Sequence, residues 1–257
     1  MSNDLKEHIS AALKKGVRLD GRKLDEFRPI TIETGTVATA EGSAHLRCGE
    51  TEIIAGIKLA VGTPYPDRPD SGTLMVNAEL RPISNPEFEI GPPSIESIEV
   101  SRVIDRTIRE SGTIDEKKLC ITPGEQVWMV NVDVVPLNTD GNLIDLGCLA
   151  SVAALKNTKL PRLEDGVVNY KELTQEGLPL SEEPIAVTVV KIGENFLVDP
   201  TQGEFDVADA RLTVGSLADG TLCALQKGGD ASLTPEDIDR MVDIALATAK
   251  KLRKLLE

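Results

Sequence analysis

The chain has 257 residues, 40% hydrophobic and only 3% aromatic, and its 42 acidic against 28 basic side chains leave a formal net charge of −14. That length supports one large domain or two modest ones with a sizeable core, and the charge excludes a surface that attracts nucleic acid everywhere, though not a local basic patch. So few aromatics argue against base stacking on a sheet platform, and with no apolar run of about 18 residues and no leader pattern at the N-terminus, a cytoplasmic protein without membrane contact is expected.

In chain order, Leu5, Ile9, Ala12 and Leu13 recur at helical spacing before Gly16 and predict a short amphipathic helix. Arg18-Leu19-Asp20-Gly21-Arg22 reads as a polar turn whose arginines pair with acidic neighbours. Alternation from Ile30 to Val61, broken at Glu41-Gly42 and Gly49-Glu50, predicts an antiparallel meander. Pro64, Pro66 and Pro69 make Gly62 to Gly72 a loop, and Thr73 to Leu80 returns to strand.

Ser94 is placed as the N-cap of a helix with Glu96 and Glu99 in its first turns and Ile95, Ile98, Ile104 and Ile108 on an apolar face. Arg102, Arg106 and Arg109 fall at i, i+4 and i+7 and share a stripe, the most concentrated basic feature of the chain. Read by itself, such a stripe is a solvated face pairing with Asp105 and Glu110.

The valine-rich run Gln126 to Leu137 is expected as a central strand covered on both faces, followed by a helix whose residues from Leu146 to Leu155 are apolar enough to be buried. Between them, Leu137 to Ile144 resembles an anion site: a Gly-containing turn delivers the chain to a helix N-terminus, where free N–H groups and the dipole favour a phosphate. Yet no Arg, Lys, Ser or Thr follows Gly141 to hold one.

Lys156 to Glu183, with Pro161, Gly166, Gly177 and Pro179, reads as an irregular linker. The second half repeats the grammar of the first, with strands at Ile185 to Ile192, Phe196 to Asp199, Ala210 to Leu217 and Thr221 to Leu225, and a helix opened by Thr234-Pro235-Glu236-Asp237. The organisation expected is an N-terminal helix and turn at 1–25, a first domain at 26–160, a linker at 161–184 and a second domain at 185–257. Cys48, Cys120, Cys148 and Cys223 form no C-x-x-C pair and are expected as reduced, mostly buried thiols. An exposed His8 and a strand His45 leave too little material for a zinc site or a His triad, so no metal and no cofactor are expected.

Taken in order, Arg18-Leu19-Asp20-Gly21-Arg22, Cys48-Gly49-Glu50-Thr51, the strand–Asp140-Gly141–helix junction and Asp199-Pro200-Thr201 resemble the RNase PH family across nearly the whole chain. Pro136-Leu137-Asn138-Thr139-Asp140-Gly141-Asn142 and Val198-Asp199-Pro200-Thr201 are similar to signatures of its non-catalytic RNase PH-like subunit in the archaeal exosome. The resemblance implies an α+β, RNase PH-like fold of two sheet-plus-helix, βαβα-type halves, of the ribosomal protein S5 domain 2-like kind.

Active members resemble one another in an Ala-Asp-Gly-Gly-Thr-Arg run whose Thr and Arg hold the attacking phosphate. The matching residues here are Thr139, Asp140, Gly141, Asn142, Leu143 and Ile144. An Ile in place of that Arg supplies neither donor nor charge, so Asp140 to Ile144 is expected as a degenerate phosphate site. Active members also resemble one another in an acidic pair serving metal or proton transfer. Here Glu204-Phe205-Asp206-Val207-Ala208-Asp209 puts Phe205 at or next to the first acid and shortens the spacing to Asp209, a degenerate acidic site with Asp206 open as a substitute.

The resemblance therefore implies no catalytic residue in this chain. It gives Arg102 and Arg106 an RNA-binding role in a neighbour's cleft, with Arg109 a turn further on; Arg68 lies in the loop that family members direct toward the central channel, and a rigid surface loop stays open for it. Three copies would alternate with three of an active RNase PH-like partner in a hexameric ring, under a trimeric cap of S1/KH-type RNA-binding proteins, for phosphate-dependent 3′-to-5′ degradation of single-stranded RNA. Two alternatives remain: an active phosphorolytic exoribonuclease using Asp206 and Asp209, and a purely structural ring subunit whose arginines make only subunit salt bridges.

Overall fold

The computed structural model describes residues 3–164 and 167–257, so the expectation placed on Gly166 lies outside the described residues. Helix α1 (Asn3–Leu13) buries Ile9 and Leu13 in a small cluster with Val190, Ile192 and Leu197 of the second half. The chain then builds β1 (Ile30–Thr34), β2 (Gly42–Cys48), β3 (Thr51–Gly62) and β4 (Thr73–Ala78). Helix α2 (Ile95–Glu110) and the short β5 (Cys120–Thr122) lead to β6 (Gln126–Asn138). These strands form one sheet in the order β1-β2-β3-β6-β4, with β5 on β6. β4 and β6 run parallel, and a parallel pair needs a crossover, which α2 provides.

The valine-rich strand is central, as expected, but it is not covered on both faces. Along β6, Trp128, Val130, Val132 and Val134 are buried on one face, while Met129, Asn131, Asp133 and Val135 on the other keep solvent contact. Asn131 and Asp133 carry the reason: two polar side chains at alternate positions write a one-sided strand.

Against the inner face lies α3 (Leu143–Asn157), buried from Leu143 through Leu155. Its side chains meet β2 and β3 on one side and β9 (Ile185–Ile192) on the other. Leu146, Leu149, Val152 and Leu155 are almost wholly buried there, each contributing roughly 1.5–3 kcal/mol by leaving water. With β10 (Asn195–Val198), β11 (Ala210–Ser216) and β12 (Leu222–Gly228), β9 makes an antiparallel sheet in the order β10-β9-β11-β12. The five-residue α4 (Gln202–Asp206) precedes β11, and α5 (Pro235–Leu252) packs on β9 and β11. Thr234 and Asp237 start α5 with a capping box and Pro235 follows the cap, as its sequence predicts. The α+β organisation is thus two sheets with α2 and α3 between them.

Two local expectations are corrected. The stretch read as an irregular linker holds a hairpin of two strands, β7 (Lys159–Glu164) and β8 (Val167–Gly177), whose ladder shifts register on either side of Pro161. A proline inside a ladder is tolerated at such an irregularity, which hides the strand from a breaker-based reading. On α2, Ile104 and Ile108 are buried, but Ile95 is 88% and Ile98 45% exposed. The helix buries Val100, Val103 and Thr107 instead, because these share its 3.6-residue face with Ile104 and Ile108.

Candidate functional site

Between β6 and α3, Gly141 (φ +83°) and Asn142 (φ +63°) are both left-handed. Gly141 is required, since a Cβ there would lie 2.5 Å from the Pro200 carbonyl oxygen and 2.8 Å from the Gln202 nitrogen. Asparagine is among the few other residues that tolerate this region. The Thr51 hydroxyl clamps the turn, accepting from the Asp140 N–H at 3.0 Å and donating to the Gly141 carbonyl at 3.1 Å. That contact joins the Cys48-Gly49-Glu50-Thr51 turn to the Asp140-Gly141 junction.

The other shared motifs meet at Asp199, which is fully buried and left-handed (φ +46°). Arg28 donates Nε to Oδ2 at 2.8 Å and Nη2 to Oδ1 at 2.7 Å, and its backbone N–H adds a bond at 2.8 Å. Arg22 Nη1 donates to Oδ2 at 2.7 Å and Asn142 Nδ2 to Oδ1 at 2.9 Å. Burial by itself would raise the Asp199 carboxyl, but the Arg28 bonds and the charges of Arg28 and Arg22 outweigh it and hold the group below its ordinary value. Arg18, 1% exposed, donates to Glu204 Oε1 at 2.9 Å, the Val198 carbonyl at 3.0 Å and the Asp199 carbonyl at 2.8 Å. Arg22 also pairs locally with Asp20 at 2.7 Å, as expected, but the other acidic partners, Asp199 and Glu204, come from the second half of the chain. These motifs form a buried ionic joint between the halves.

Beside the joint, Asp145 in the first turn of α3 accepts from the Thr188 N–H at 2.8 Å and the Thr188 hydroxyl at 2.6 Å. It is 1% exposed and pairs with no cation among the described residues, and burial pushes its carboxyl up to about 7 against the two Thr188 bonds.

Gly141, Asn142, Leu143 and Ile144 form one wall of a cleft, with Phe205 and Gln202 opposite and Glu96 and Glu99 reaching in from α2. Leu143 and Ile144 are 6% and 7% exposed. One cation, Arg211, also lines the cleft, but its guanidinium pairs with Glu99 and lies 5.1 Å over the Phe205 ring. The Glu96 carboxyl is pushed above its ordinary value by the packing around it and by Glu99, Asp206 and Glu87, although it still meets solvent. The cleft therefore presents apolar side chains and two carboxylates, with its one guanidinium paired to Glu99.

The two acids of the candidate acidic site bond different partners. Asp206 is exposed on α4 and accepts from Gln202 Nε2 at 2.8 Å. Asp209 turns away to Lys6 at 2.9 Å and to the Gly193 N–H at 2.7 Å, and these bonds hold its carboxyl low. Among the described residues no three His, Cys, Asp or Glu side chains gather as a metal site.

The basic stripe divides. Arg102 and Arg106 are exposed beside a groove lined by Ile95, Ile98 and Gln226, and among the described residues the ion pairs of α2 run through Arg109 and Glu99, not through them. Arg109 donates to both Asp105 oxygens at 2.6 and 3.1 Å and to the Leu74 carbonyl at 2.8 Å, and lies 3.6 Å from Glu116. An arginine so engaged ties α2 to β4. Arg68 is exposed in its loop, 3.7 Å from Glu116. His8 is exposed, and His45 on β2 bonds Glu52 at 2.6 Å; all four thiols are free, two of them buried.

Sequence reasoning missed Arg28, Asp145 and Arg211. Asp145 had a signal, as the one carboxylate in the apolar run Leu143-Ile144-Asp145-Leu146. Arg28 and Arg211 had none, because their partners are distant in sequence.

The models of the 3′ exoribonuclease family match the chain twice, domain 1 over residues 26–161 and domain 2 over residues 182–248. The exosome complex component Rrp42 of Methanosarcina acetivorans is 46% identical over 252 residues, covering 97% of this chain and 92% of that protein. Among solved structures, an Archaeoglobus fulgidus exosome with RNA bound to the active site contains a similar chain at TM-score 0.92 and 41% identity, covering 99% of this chain and 98% of that one. An archaeal exosome core contains another at TM-score 0.88 and 39% identity, covering 99% and 97%. With both halves matched in order and relatives alike from end to end, the chain belongs to the RNase PH, or 3′ exoribonuclease, family.

Proposed function

We propose that this chain is a non-catalytic subunit of an archaeal exosome ring, built of an N-terminal unit at 26–160 and a C-terminal unit at 185–257. The observation that carries the reading is the cleft at the phosphate position, where Leu143 and Ile144 are buried and Glu96 and Glu99 supply negative charge. Phosphorolysis needs an anion held there for attack, and this cleft offers no free cation. Asp206 is held by Gln202 and Asp209 by Lys6, which argues against their acting as an acidic pair.

Three copies alternating with three active RNase PH-like partners would place the chemistry across each interface. Arg102 and Arg106 are the groups this chain has free to offer an RNA backbone, since Arg109 is spent on Asp105. Arg68, at 63% exposed, is a second candidate contact, and a trimeric S1/KH-type cap would complete the particle. The similar chain in an exosome with RNA bound supports this setting. The test is a ring reconstituted with Arg102→Glu and Arg106→Glu. An intact ring should bind single-stranded RNA more weakly, with its log K against log salt slope reduced by about 1.4, roughly 0.7 per lost phosphate contact. Unchanged affinity and slope would reduce the subunit to a scaffold.

A further inference from the structure

The loop that carries Arg68 is anchored through its backbone. The Gly72 N–H donates to the Glu116 carbonyl at 2.8 Å, and the Gly124 N–H donates to the Pro69 carbonyl at 2.7 Å. Two turns inside the loop, from the Arg68 N–H to the Tyr65 carbonyl at 3.0 Å and from the Ser71 N–H to the Arg68 carbonyl at 3.3 Å, fix the Arg68 backbone as well. None of these bonds uses a charged side chain. The loop therefore keeps its course whatever charge the Glu116 side chain carries.

The Glu116 carboxylate, at the start of the one-turn helix Glu116–Leu119, stands between two guanidinium groups. Its Oε2 lies 3.7 Å from Arg68 Nη1 and its Oε1 3.6 Å from Arg109 Nη1, and the three side chains line one groove. The two arginines are held with unequal strength. Arg109 donates to both Asp105 oxygens and to the Leu74 carbonyl, so its place does not depend on Glu116. Arg68 has no other acidic partner among the described residues, is 63% exposed and lies beyond hydrogen-bond distance of Glu116. Its tether is a solvent-screened ion pair of the weakest class. A phosphate that reaches Arg68 at hydrogen-bond distance replaces that tether with a stronger, charge-assisted contact. Glu116 is not stranded by the exchange, because Arg109 stays beside it.

We propose that Glu116 is a positioning residue for Arg68, its carboxylate occupying the place at the guanidinium that an RNA phosphate takes on binding. The inference rests on the reading of Arg68 as an RNA contact and adds a built-in competitor to it. The carboxylate holds the guanidinium at the groove and offsets its charge, so Arg68 adds little to the long-range attraction of polyanions and engages a phosphate only at contact distance. The alternating chain Asp105–Arg109–Glu116–Arg68 also joins the loop to α2, so that Arg68 shares one frame with Arg102 and Arg106.

The test is a double-mutant cycle in the ring reconstituted with its active partner, read as single-stranded RNA affinity over a salt series without inorganic phosphate. Glu116→Gln removes the charge and keeps the shape. It should tighten binding about two- to fivefold, the release of one exposed ion pair, and steepen the log K against log salt slope by up to about 0.7, one phosphate contact. In an Arg68→Ala background the same substitution should change neither quantity, a coupling that a merely structural role for Glu116 does not produce. Unchanged or weaker binding by Glu116→Gln, or an equal gain with and without Arg68, overturns the proposal. Arg68→Ala by itself separates this proposal from the reading beneath it. Weaker RNA binding by Arg68→Ala together with a silent Glu116→Gln overturns only the competitor, whereas unchanged affinity and slope in Arg68→Ala overturn the Arg68 contact and the competitor with it.

Discussion

Replacing Asp145 with asparagine should stabilise the protein at neutral and alkaline pH. The carboxyl is 1% exposed, accepts two bonds from Thr188 and pairs with no cation among the described residues, and its pKa stands near 7 rather than at the ordinary 3.8. Holding a carboxyl that far up costs the folded state at most about 4 kcal/mol once the group is ionised in the unfolded chain. Below about pH 4 it is protonated in both states and costs nothing. Between there and about pH 7 the unfolded chain loses the proton first, so this group's contribution falls as pH rises and then levels off. Asparagine keeps the geometry, since its oxygen accepts from the Thr188 N–H while its amide donates to the Thr188 hydroxyl, which can turn to Thr213 at 2.8 Å. Urea unfolding of both proteins from about pH 4 to about pH 8 should show the variant gaining on the wild type through that window, by about 1–3 kcal/mol at the upper end, allowing for relaxation around the charge. Parallel stability curves would refute the assignment of the pH dependence to Asp145.

The ionic joint and the α3 turn make further predictions. Asp199→Ala strands the Arg28 and Arg22 guanidinium groups and should cost about 3–5 kcal/mol in denaturant melts. Because the Asp199 carboxyl is held low, the wild type should lose that contribution only as acid brings the pH down through its depressed pKa. Gly141→Ala forces a Cβ within 2.5 Å of the Pro200 carbonyl in a left-handed conformation and should lower stability by about 3 kcal/mol or more, read by thermal unfolding. Leu143→Thr with Ile144→Arg introduces the Thr-Arg pair that the family resemblance implies for active members, but it buries a charge beside α3 and leaves Asp206 and Asp209 with their present partners. Stability should fall by about 2–4 kcal/mol with no nucleoside diphosphate released from RNA.

Where hydrophobic period and turn chemistry coincide, the sequence already contained the element. Ser94 and Thr234 cap the helices predicted for them, the Gly49-Glu50 turn closes β2 onto β3, and Leu146 to Leu155 is buried all round. The hairpin over 159–177 escaped because Pro161 and polar alternation imitate a linker. The exposed Ile95 and Ile98 were misplaced because α2 presents an apolar residue on almost every face, and only the packing against β4 and α3 selects among them.

At the candidate site, the loss of charge at Leu143 and Ile144 could be read directly, since the absence of an arginine is a property of the sequence. The Arg109–Asp105 pair was legible as an i, i+4 spacing, but that Arg109 also reaches the Leu74 carbonyl and Glu116 while Arg102 and Arg106 stay exposed was not, because those contacts come from outside the helix. The Asp199 joint was invisible for the same reason: its arginines precede it by most of the chain, and only the closing of the second sheet onto the first brings them together.

The most direct measurement of the central claim is incubation of the purified chain, without any partner, with single-stranded RNA and inorganic phosphate, followed by quantitation of nucleoside diphosphates. No release is predicted for the chain alone, with activity appearing when an active RNase PH-like partner is added and persisting when Asp206 and Asp209 of this chain are changed to alanine. Release of nucleoside diphosphates by the chain alone, abolished by those two substitutions, would contradict the account.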